Sequence, residues 1–217
     1  MRLLSVNLNF TDRWALVLGA GAVGRRKLAA LLEAGAKVRV VEPNPGPWLL
    51  ELAAEGLILL EKTFEPRFLE GNPWVFLAAK VDESLRPVLD LIKAKDLWVN
   101  VASSPEESNF FPPALVSDEP FRLTVSTGGT SPALAALVAE SLRRSYEGYG
   151  ALCRLLGQAR RVVLSSSLEE KDRRLLLTSL ARDASLRELL KKGDYPALKE
   201  RLNDLLAPLS WPEDYHF

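Results

Sequence analysis

The chain has 217 residues, 47% of them hydrophobic, and its 28 Lys and Arg balance 28 Asp and Glu, so its formal net charge is zero. This length suits one large domain or a main domain with a smaller appendage. The balanced charge argues against broad binding to nucleic acid or to an anionic membrane, while a local basic pocket stays open. A single cysteine, Cys153, excludes an intramolecular disulfide framework, and its helical context predicts a buried structural thiol.

The first residues, Met1-Arg-Leu-Leu-Ser5, lack the long apolar segment of a secretory signal. No apolar run in the chain reaches the length of a membrane span. We therefore expect a cytoplasmic protein that binds neither membranes nor nucleic acid.

Residues 3–10 alternate loosely between apolar and polar and predict a short strand. The apolar run Trp14–Leu18 then leads directly into three glycines with the spacing GxGxxG and a helical pattern. This order predicts a buried strand, a tight turn at Gly19 and a helix whose first N–H groups suit the pyrophosphate of a dinucleotide. Gly21 would let the pyrophosphate approach, and Gly24 would let helix and strand pack closely. The residues predicted to bind the cofactor are Gly19, Ala20, Gly21, Ala22, Val23 and Gly24. The simpler alternative is a strand–helix turn without a ligand.

A carboxylate ends the second predicted strand, Val38–Glu42, which follows a helix stop at Gly35. Glu42 lies about twenty residues beyond the glycine turn, where an acid in this type of fold binds the ribose hydroxyls. Because a carboxylate repels a 2′-phosphate, the sequence predicts NAD rather than NADP. The nearby Arg39 is the one feature that favours NADP.

Strands and helices continue to alternate up to residue 102. The predicted strands are 57–61, 74–79 and 97–102, and the predicted helices are 48–54 and 85–94. This alternation predicts an α/β fold with a Rossmann-type parallel sheet. Ligands of such sheets bind outside the carboxyl ends of the strands.

The pattern changes after Ser108, where two prolines close residues 109–113 and suggest a domain boundary. A strand at 121–126 enters a glycine-containing turn and then a helix from 133 to 146, with Ser131 as its N-cap and Pro132 at its first position. The predicted buried stripe of this helix comprises Leu134, Leu137, Val138 and Leu142. One strand and one helix bury too little core alone, so we expect the segment to pair with a second copy.

The remaining chain predicts a small helical bundle. The segments Ser167–Glu170 and Ser185–Glu188 have the form of capping boxes that open helices. Gly193 and Pro208 are predicted helix stops. His216, the sole histidine, is interpreted as part of a frayed tail, and no permanent metal site is predicted.

Three motifs of this chain occur together in a known family. They are Gly-Ala-Gly-Ala-Val-Gly-Arg-Arg-Lys at 19–27, Asn-Val-Ala-Ser-Ser-Pro-Glu-Glu-Ser-Asn-Phe-Phe-Pro-Pro at 100–113, and Val-Ser-Thr-Gly-Gly-Thr-Ser-Pro at 125–132. With them, the chain resembles the precorrin-2 dehydrogenase/sirohydrochlorin ferrochelatase family, the N-terminal module of siroheme synthase. The resemblance implies oxidation of precorrin-2 to sirohydrochlorin with NAD, and in bifunctional members the insertion of iron.

The resemblance also implies an architecture and a set of site residues. The domains are a Rossmann domain at 1–113, a dimerisation segment at 114–146 that makes a homodimer, and a helical domain at 147–217. Asn100 and Val101 match the strand end that holds the nicotinamide side. The loop that lines the tetrapyrrole cleft near the dimer interface corresponds to Ser126, Thr127, Gly128, Gly129, Thr130 and Ser131. Basic residues that could approach this substrate are Arg25, Arg26, Lys27, Arg143 and Arg144.

One departure from the family concerns its candidate catalytic aspartate, whose position is occupied by Ser103, with Ser104 following. Serine is not a general base near neutral pH without an activator. Hydride transfer is chiefly the chemistry of the cofactor, whereas metallation must remove two pyrrole protons. Ferrochelatase activity is therefore in question. Glu106 and Glu107 are candidate substitutes, or solvated loop acids.

Three hypotheses for function follow. The first is an NAD-dependent precorrin-2 dehydrogenase, and the second is a degenerate protein that binds NAD and the tetrapyrrole without catalysis. A generic NAD-sensing domain is the third, but it leaves residues 100–132 unexplained.

Overall fold

The computed structural model of the chain describes residues 3–71, 73–207 and 209. The predicted helix stop at Pro208 and the histidine at position 216 lie outside this range. The chain forms two units, Met1–Pro112 and Pro113–Phe217, which meet in sequence at a pair of prolines. The predicted division of the second unit into a dimerisation segment and a helical domain stays a prediction.

A five-stranded parallel sheet forms the centre of the first unit. Its strands are β1 (Trp14–Leu18), β2 (Lys37–Val41), β3 (Ile58–Glu61), β4 (Trp74–Leu77) and β5 (Val99–Val101). Their order in the sheet is β3-β2-β1-β4-β5, and every neighbouring pair is parallel. The α/β prediction is thus confirmed, because each parallel pair requires a crossover connection on one face of the sheet.

Helices cover both faces of this sheet. They are α1 (Ala22–Glu33), α2 (Pro47–Ala54) and α3 (Arg86–Ala94), with a short 3₁₀ helix at Pro66–Leu69. Alternate residues of β1 divide between two cores, since successive side chains of a strand point to opposite faces. Val17 packs with residues of α1 and α2, whereas Leu16 and Leu18 pack with α3 and the 3₁₀ helix.

The second unit begins with an antiparallel hairpin and continues as five helices. The hairpin pairs β6 (Ala114–Asp118) with β7 (Phe121–Val125). The helices are α4 (Pro132–Ser145), α5 (Tyr149–Leu164), α6 (Glu170–Arg182), α7 (Ala184–Lys192) and α8 (Tyr195–Leu206). Strand β6 was not predicted, because Pro112-Pro113 and the polar Ser117 mask its short alternation. Across the residues that the structure describes, no helix is long and apolar enough to cross a membrane.

One predicted element is wrong. Residues 3–10 form no strand, and the side chains of Leu4 and Val6 are largely exposed. The predicted stripe of α4 is not buried within the single chain, where Leu134 and Leu137 are exposed while Ala135 and Ala139 are buried. Helix α4 turns its small residues toward the hairpin, where close approach favours alanine, and its leucines face outward within this chain.

The two predicted capping boxes do not form. Helix α6 has Glu169 rather than Ser167 at its N-cap, without a side-chain capping bond. Helix α7 begins one residue before Ser185, because the Asp183 carboxylate accepts the backbone N–H groups of Ser185 and Leu186. Asp183 also forms an ion pair with Arg201 of α8. This contact favours Asp183 rather than Ser185 as the N-cap of α7.

Candidate functional site

The glycine turn after β1 has three different local requirements. Gly19 has φ of +91°, and a Cβ there would lie 2.8 Å from the backbone nitrogen of Ala79. A Cβ on Gly24 would lie 2.1 Å from the carbonyl oxygen of Gly19, so only glycine allows α1 to pack this closely. Gly21 is the N-cap of α1, and nothing lies within 4 Å of an added Cβ. The first N–H groups of α1 therefore face open space beside Gly21, as an anion site requires.

The strand order reverses at this turn. Strand β1 lies between β2 and β4, and the crossover direction changes there. The N–H groups of Ala78 and Ala79 both donate to the carbonyl of Leu18, at 2.8 and 3.0 Å. The carboxyl ends of β1 and β4 thus stay hydrogen-bonded up to the glycine turn, and open α/β sheets bind their ligands outside such a point of reversed strand order.

Glu42 lies directly after β2 and reaches the glycine turn. Its Oε2 accepts the backbone N–H of Ala20 at 2.8 Å, and its Oε1 accepts the N–H of Asn44 at 3.1 Å. The residue is half-buried. A carboxylate is therefore fixed on the β2 side of the turn, and its binding of a ribose stays a prediction.

Arg39 points away from that carboxylate. Its guanidinium lies 4.3 Å from the centre of the Phe68 ring and 5.6 Å from that of Trp14, the first residue of β1. It is therefore engaged with aromatic rings, and its Nε also lies 3.9 Å from the Glu61 carboxylate at the end of β3. Arg39, the residue that favours NADP, therefore makes its contacts away from Glu42.

Asn100 and Val101 occupy the β5 end of the same sheet edge, and both are buried. The side-chain amide of Asn100 accepts from Lys27 Nζ at its Oδ1 and donates from Nδ2 to the carbonyl of Phe110 at 3.1 Å. Lys27 belongs to α1, so this residue joins a helix, a strand and the loop that follows. Lys27 makes this internal contact here, and its approach to a substrate stays a prediction.

The segment after β5 turns back along that strand. The backbone N–H of Val99 donates to Asn109 Oδ1 at 2.7 Å, and the N–H of Val101 donates to Ser108 Oγ at 2.8 Å. The side chains of Asn109 and Ser108 thus accept the backbone N–H groups of β5 that a sixth strand would otherwise bind. They cover this edge of the sheet. Sequence reasoning missed these roles, because two polar residues in a loop carry no periodic signal.

Ser103 is exposed in the loop after β5. Of the two candidate substitutes, Glu106 is exposed in the short 3₁₀ helix Pro105–Glu107. Glu107 is paired with Lys93 and Arg86 of α3, at 2.6 and 2.9 Å. Hydrogen bonds from Lys93 and Arg86 lower the pKa of Glu107, which makes it a poor proton acceptor.

In the second unit, the loop between β7 and α4 is a capping turn. The Oγ of Ser131 accepts the N–H of Leu134 at 3.3 Å, and the predicted N-cap is thereby confirmed. Thr127 Oγ1 accepts the N–H of Ser131, and Ser126 Oγ accepts that of Gly128. These hydroxyls retain their O–H donors for an anionic group. Thr130 and Gly129 are exposed.

Within residues 3–71, 73–207 and 209, no cluster of three or more His, Cys, Asp or Glu side chains could hold a metal ion. Cys153 is half-buried on α5. Burial, followed by the charge of Asp118, raises the pKa of its thiol. A thiol that stays protonated is a weak nucleophile.

The fold and the glycine turn together define a Rossmann-type dinucleotide-binding protein. A family model described as "Putative NAD(P)-binding" matches residues 6–114, half of the chain. The chain therefore belongs to this NAD(P)-binding family.

Whole-length comparisons find the likeness that the motifs predicted. The siroheme synthase of Methylobacillus flagellatus is 31% identical over 209 residues, which cover 95% of this chain and 44% of that protein. The siroheme synthase of Citrobacter koseri is 30% identical over 207 residues, covering 94% of this chain and 45% of that protein. The chain thus spans less than half the length of these curated relatives. A solved structure of SirC, a precorrin-2 dehydrogenase, matches with a TM-score of 0.75 and 26% identity, covering 93% of this chain and all of that one.

Proposed function

We propose that this protein is an NAD-dependent dehydrogenase that oxidises precorrin-2 to sirohydrochlorin. The observation that carries the proposal is the open N-terminus of α1 at Gly21, with the Glu42 carboxylate fixed on the same turn. The match to SirC over all of that chain supports the choice of substrate.

The residues of the first unit have the chemistry that NAD requires. The N–H groups after Gly21 would bind the pyrophosphate, and Glu42 would accept hydrogen bonds from the adenosine ribose. Glu42 repels a 2′-phosphate, which favours NAD over NADP. Bound NAD supplies a hydride acceptor, so that the substrate loses one hydride and one proton and NADH is formed.

No carboxylate at position 103 is required for this oxidation. Ser103 is exposed, and Glu107 is held by two cations, so water is the simplest acceptor of the released proton. Metallation differs because two pyrrole protons must be removed as the metal enters. We therefore expect oxidation without efficient ferrochelatase activity.

In the second unit, the loop from Ser126 to Ser131 is proposed to bind carboxylate groups of the tetrapyrrole. Its hydroxyls and the backbone N–H groups near Gly129 can donate to carboxylates without bulk positive charge. The exposed leucines of α4 support a homodimer as the second part of the proposal, because an unpaired apolar helix face favours a symmetric partner.

The cofactor assignment is tested by calorimetry with NAD and NADP. We expect the wild type to bind NAD more tightly than NADP, and Gly21→Val to lose NAD binding because its side chain fills the open space at the helix N-terminus. Equal binding by both proteins would remove Gly21 from the site. Tighter binding of NADP would contradict the role of Glu42.

The reaction is tested by anaerobic incubation of the protein with precorrin-2 and NAD. Formation of the sirohydrochlorin spectrum, together with NADH absorbance, is expected. Binding of both ligands without turnover would support instead the degenerate binding protein, which the serine at position 103 favours.

Metallation is tested with sirohydrochlorin and Fe²⁺ or Co²⁺. We expect slow or no insertion by the wild type, and a faster rate for Ser103→Asp because a proton acceptor is restored. Rapid metallation by the wild type that survives replacement of Glu106 and Glu107 by glutamine would show that the interpretation of Ser103 is wrong.

A further inference from the structure

Lys27 lies on the face of α1 that packs on the sheet. It follows Gly24 by three residues, and its neighbours on this face, Leu28 and Leu31, are buried in the core. Positions three and four apart share a helix face. A lysine here is out of place for packing alone, since burial of an ammonium group opposes folding.

The ammonium group of Lys27 has a defined place. It donates to Asn100 Oδ1 and lies 5.3 Å from the centre of the Phe76 ring. Partial burial, followed by the charge of Arg26, lowers the pKa of Lys27, which agrees with a group held away from water. The long side chain thus crosses from α1 over β4 to β5.

Asn100 is the one buried polar residue among those that the structure describes. A lysine can only donate and a carbonyl can only accept, so Lys27 and Phe110 together fix which end of the amide faces which partner. The ring of Phe110 packs at 5.1 Å against Phe76 and at 5.0 Å against Trp74. The amide therefore holds the segment after β5 onto the sheet.

This network lies on one side of the point where the strand order reverses. Glu42 follows β2, on the adenosine side, so the other half of a dinucleotide extends over β4 and β5. Asn100 is one residue before the carboxyl end of β5. Its amide therefore lies one residue from the sheet edge over which the nicotinamide half would extend.

We propose that Lys27 is a positioning residue for the nicotinamide half of the cofactor, acting through the amide of Asn100 and the segment that Phe110 anchors. The inference rests on the proposed NAD-dependent function. Lys27 itself need not touch the cofactor.

The test compares NAD with ADP-ribose, which lacks the nicotinamide, by calorimetry on the full chain. In Lys27→Met we expect NAD binding to weaken about tenfold, because the Asn100 amide is no longer held in one orientation beside the nicotinamide half. Binding of ADP-ribose should change less than about twofold, because Gly21 and Glu42 are untouched. The matched control is Lys37→Met, an exposed lysine at the amino end of β2 that pairs with Asp12, and it should bind both ligands as the wild type does.

Equal weakening of both ligands by Lys27→Met would mean a general structural role and would overturn the inference, as would unchanged binding of NAD. If this variant does not fold by circular dichroism, Asn100→Asp serves instead. It keeps an acceptor for Lys27 but removes the donor to Phe110, and the same selective loss of NAD affinity is expected. A wild type that binds neither ligand would overturn the proposed function. If the wild type binds both ligands and neither variant loses NAD affinity selectively, only the positioning role is overturned.

Discussion

At the scale of single residues, the three glycines of the turn have separable roles. Gly19 and Gly24 are required by the fold, since an added Cβ at either position meets backbone atoms within 3 Å. Gly21 has an ordinary φ of −65° and free space around it, so the fold alone does not require glycine there. A ligand that approaches the helix N-terminus closely would require a glycine there, even though the fold does not.

The first prediction separates these roles by stability. Gly24→Ala should lower the free energy of unfolding by about 2 to 3 kcal/mol, because its Cβ would lie 2.1 Å from Gly19 O and the helix must shift. The control Gly21→Ser places a favoured N-cap residue in open space and should leave the free energy of unfolding unchanged or slightly raised. Urea unfolding followed by circular dichroism measures both. Equal effects of the two variants would contradict the close helix–strand packing.

Residue types at the turn and at the end of β2 could be predicted because strand, glycine spacing and acid lie close together in sequence. The residues that they contact could not be predicted. The contact of Lys27 with Asn100 joins positions 73 residues apart, and the bond from Ala20 to Glu42 spans 22. Such pairs are selected by the packing of α1 on the sheet, which periodicity does not specify.

At the scale of elements, α5 contains two glycines in opposite situations. Gly150 donates its N–H to Asp118 at 2.9 Å, and an added Cβ would lie 2.3 Å from the Asp118 carbonyl oxygen. Gly157 is exposed, and nothing lies within 4 Å of its added Cβ. The hairpin therefore approaches α5 closely at Gly150 but not at Gly157.

The second prediction uses this pair. Gly150→Ala should destabilise the second unit by about 2 to 3 kcal/mol through overlap with the hairpin backbone. Gly157→Ala should stabilise it by about 0.5 to 1 kcal/mol, because alanine loses less conformational entropy in a helix. Thermal unfolding measures the difference. A stabilising Gly150→Ala would mean that the hairpin does not pack on α5.

The third prediction concerns the attachment of the loop after β5 to α3. The pKa of Glu107 lies below its ordinary value of 4.5, so its pairing with Lys93 and Arg86 stabilises the fold above that pH and is lost as the pH falls through the lowered pKa. Glu107→Gln should therefore have a lower melting temperature than the wild type at pH 7, with the difference shrinking below pH 4.5.

Melting curves from pH 3 to 8 test this dependence. Glu106→Gln is the matched control, since Glu106 is the exposed neighbour on the same 3₁₀ helix. A difference between wild type and Glu107→Gln that persists unchanged at acid pH would exclude the ion pair as its cause.

At the scale of the whole molecule, α4 presents an apolar face that is exposed among the residues that the structure describes. The exposed fractions are 50% for Leu134, 68% for Leu137 and 37% for Val138. Soluble monomers rarely keep such residues adjacent on one helix face. The predicted stripe is thus an exposed apolar face in this chain, and its burial against a second copy stays a prediction.

The fourth prediction concerns assembly. We expect the wild type to sediment as a dimer at micromolar concentration and Leu137→Glu to raise the dissociation constant on the order of a hundredfold, since a two-fold axis buries the new charge twice. The control is Leu175→Glu on α6, where the leucine is 60% exposed and should be tolerated. A wild type that sediments as a stable monomer, or a dimer unaffected by Leu137→Glu, would contradict the role of α4.

The sequence by itself determined the parallel α/β unit, the position of the glycine turn, the acid at the end of β2 and the Ser131 cap, because each follows from the pattern of residue types along the chain. Only the tertiary structure decided the rest: the orientation of the Asn100 amide, the capture of Glu107 by α3, the cap of α7 and the outward face of α4. In each of these cases a short-range pattern admits two outcomes of similar local free energy. The choice is made by a partner distant in sequence, which packing brings into contact.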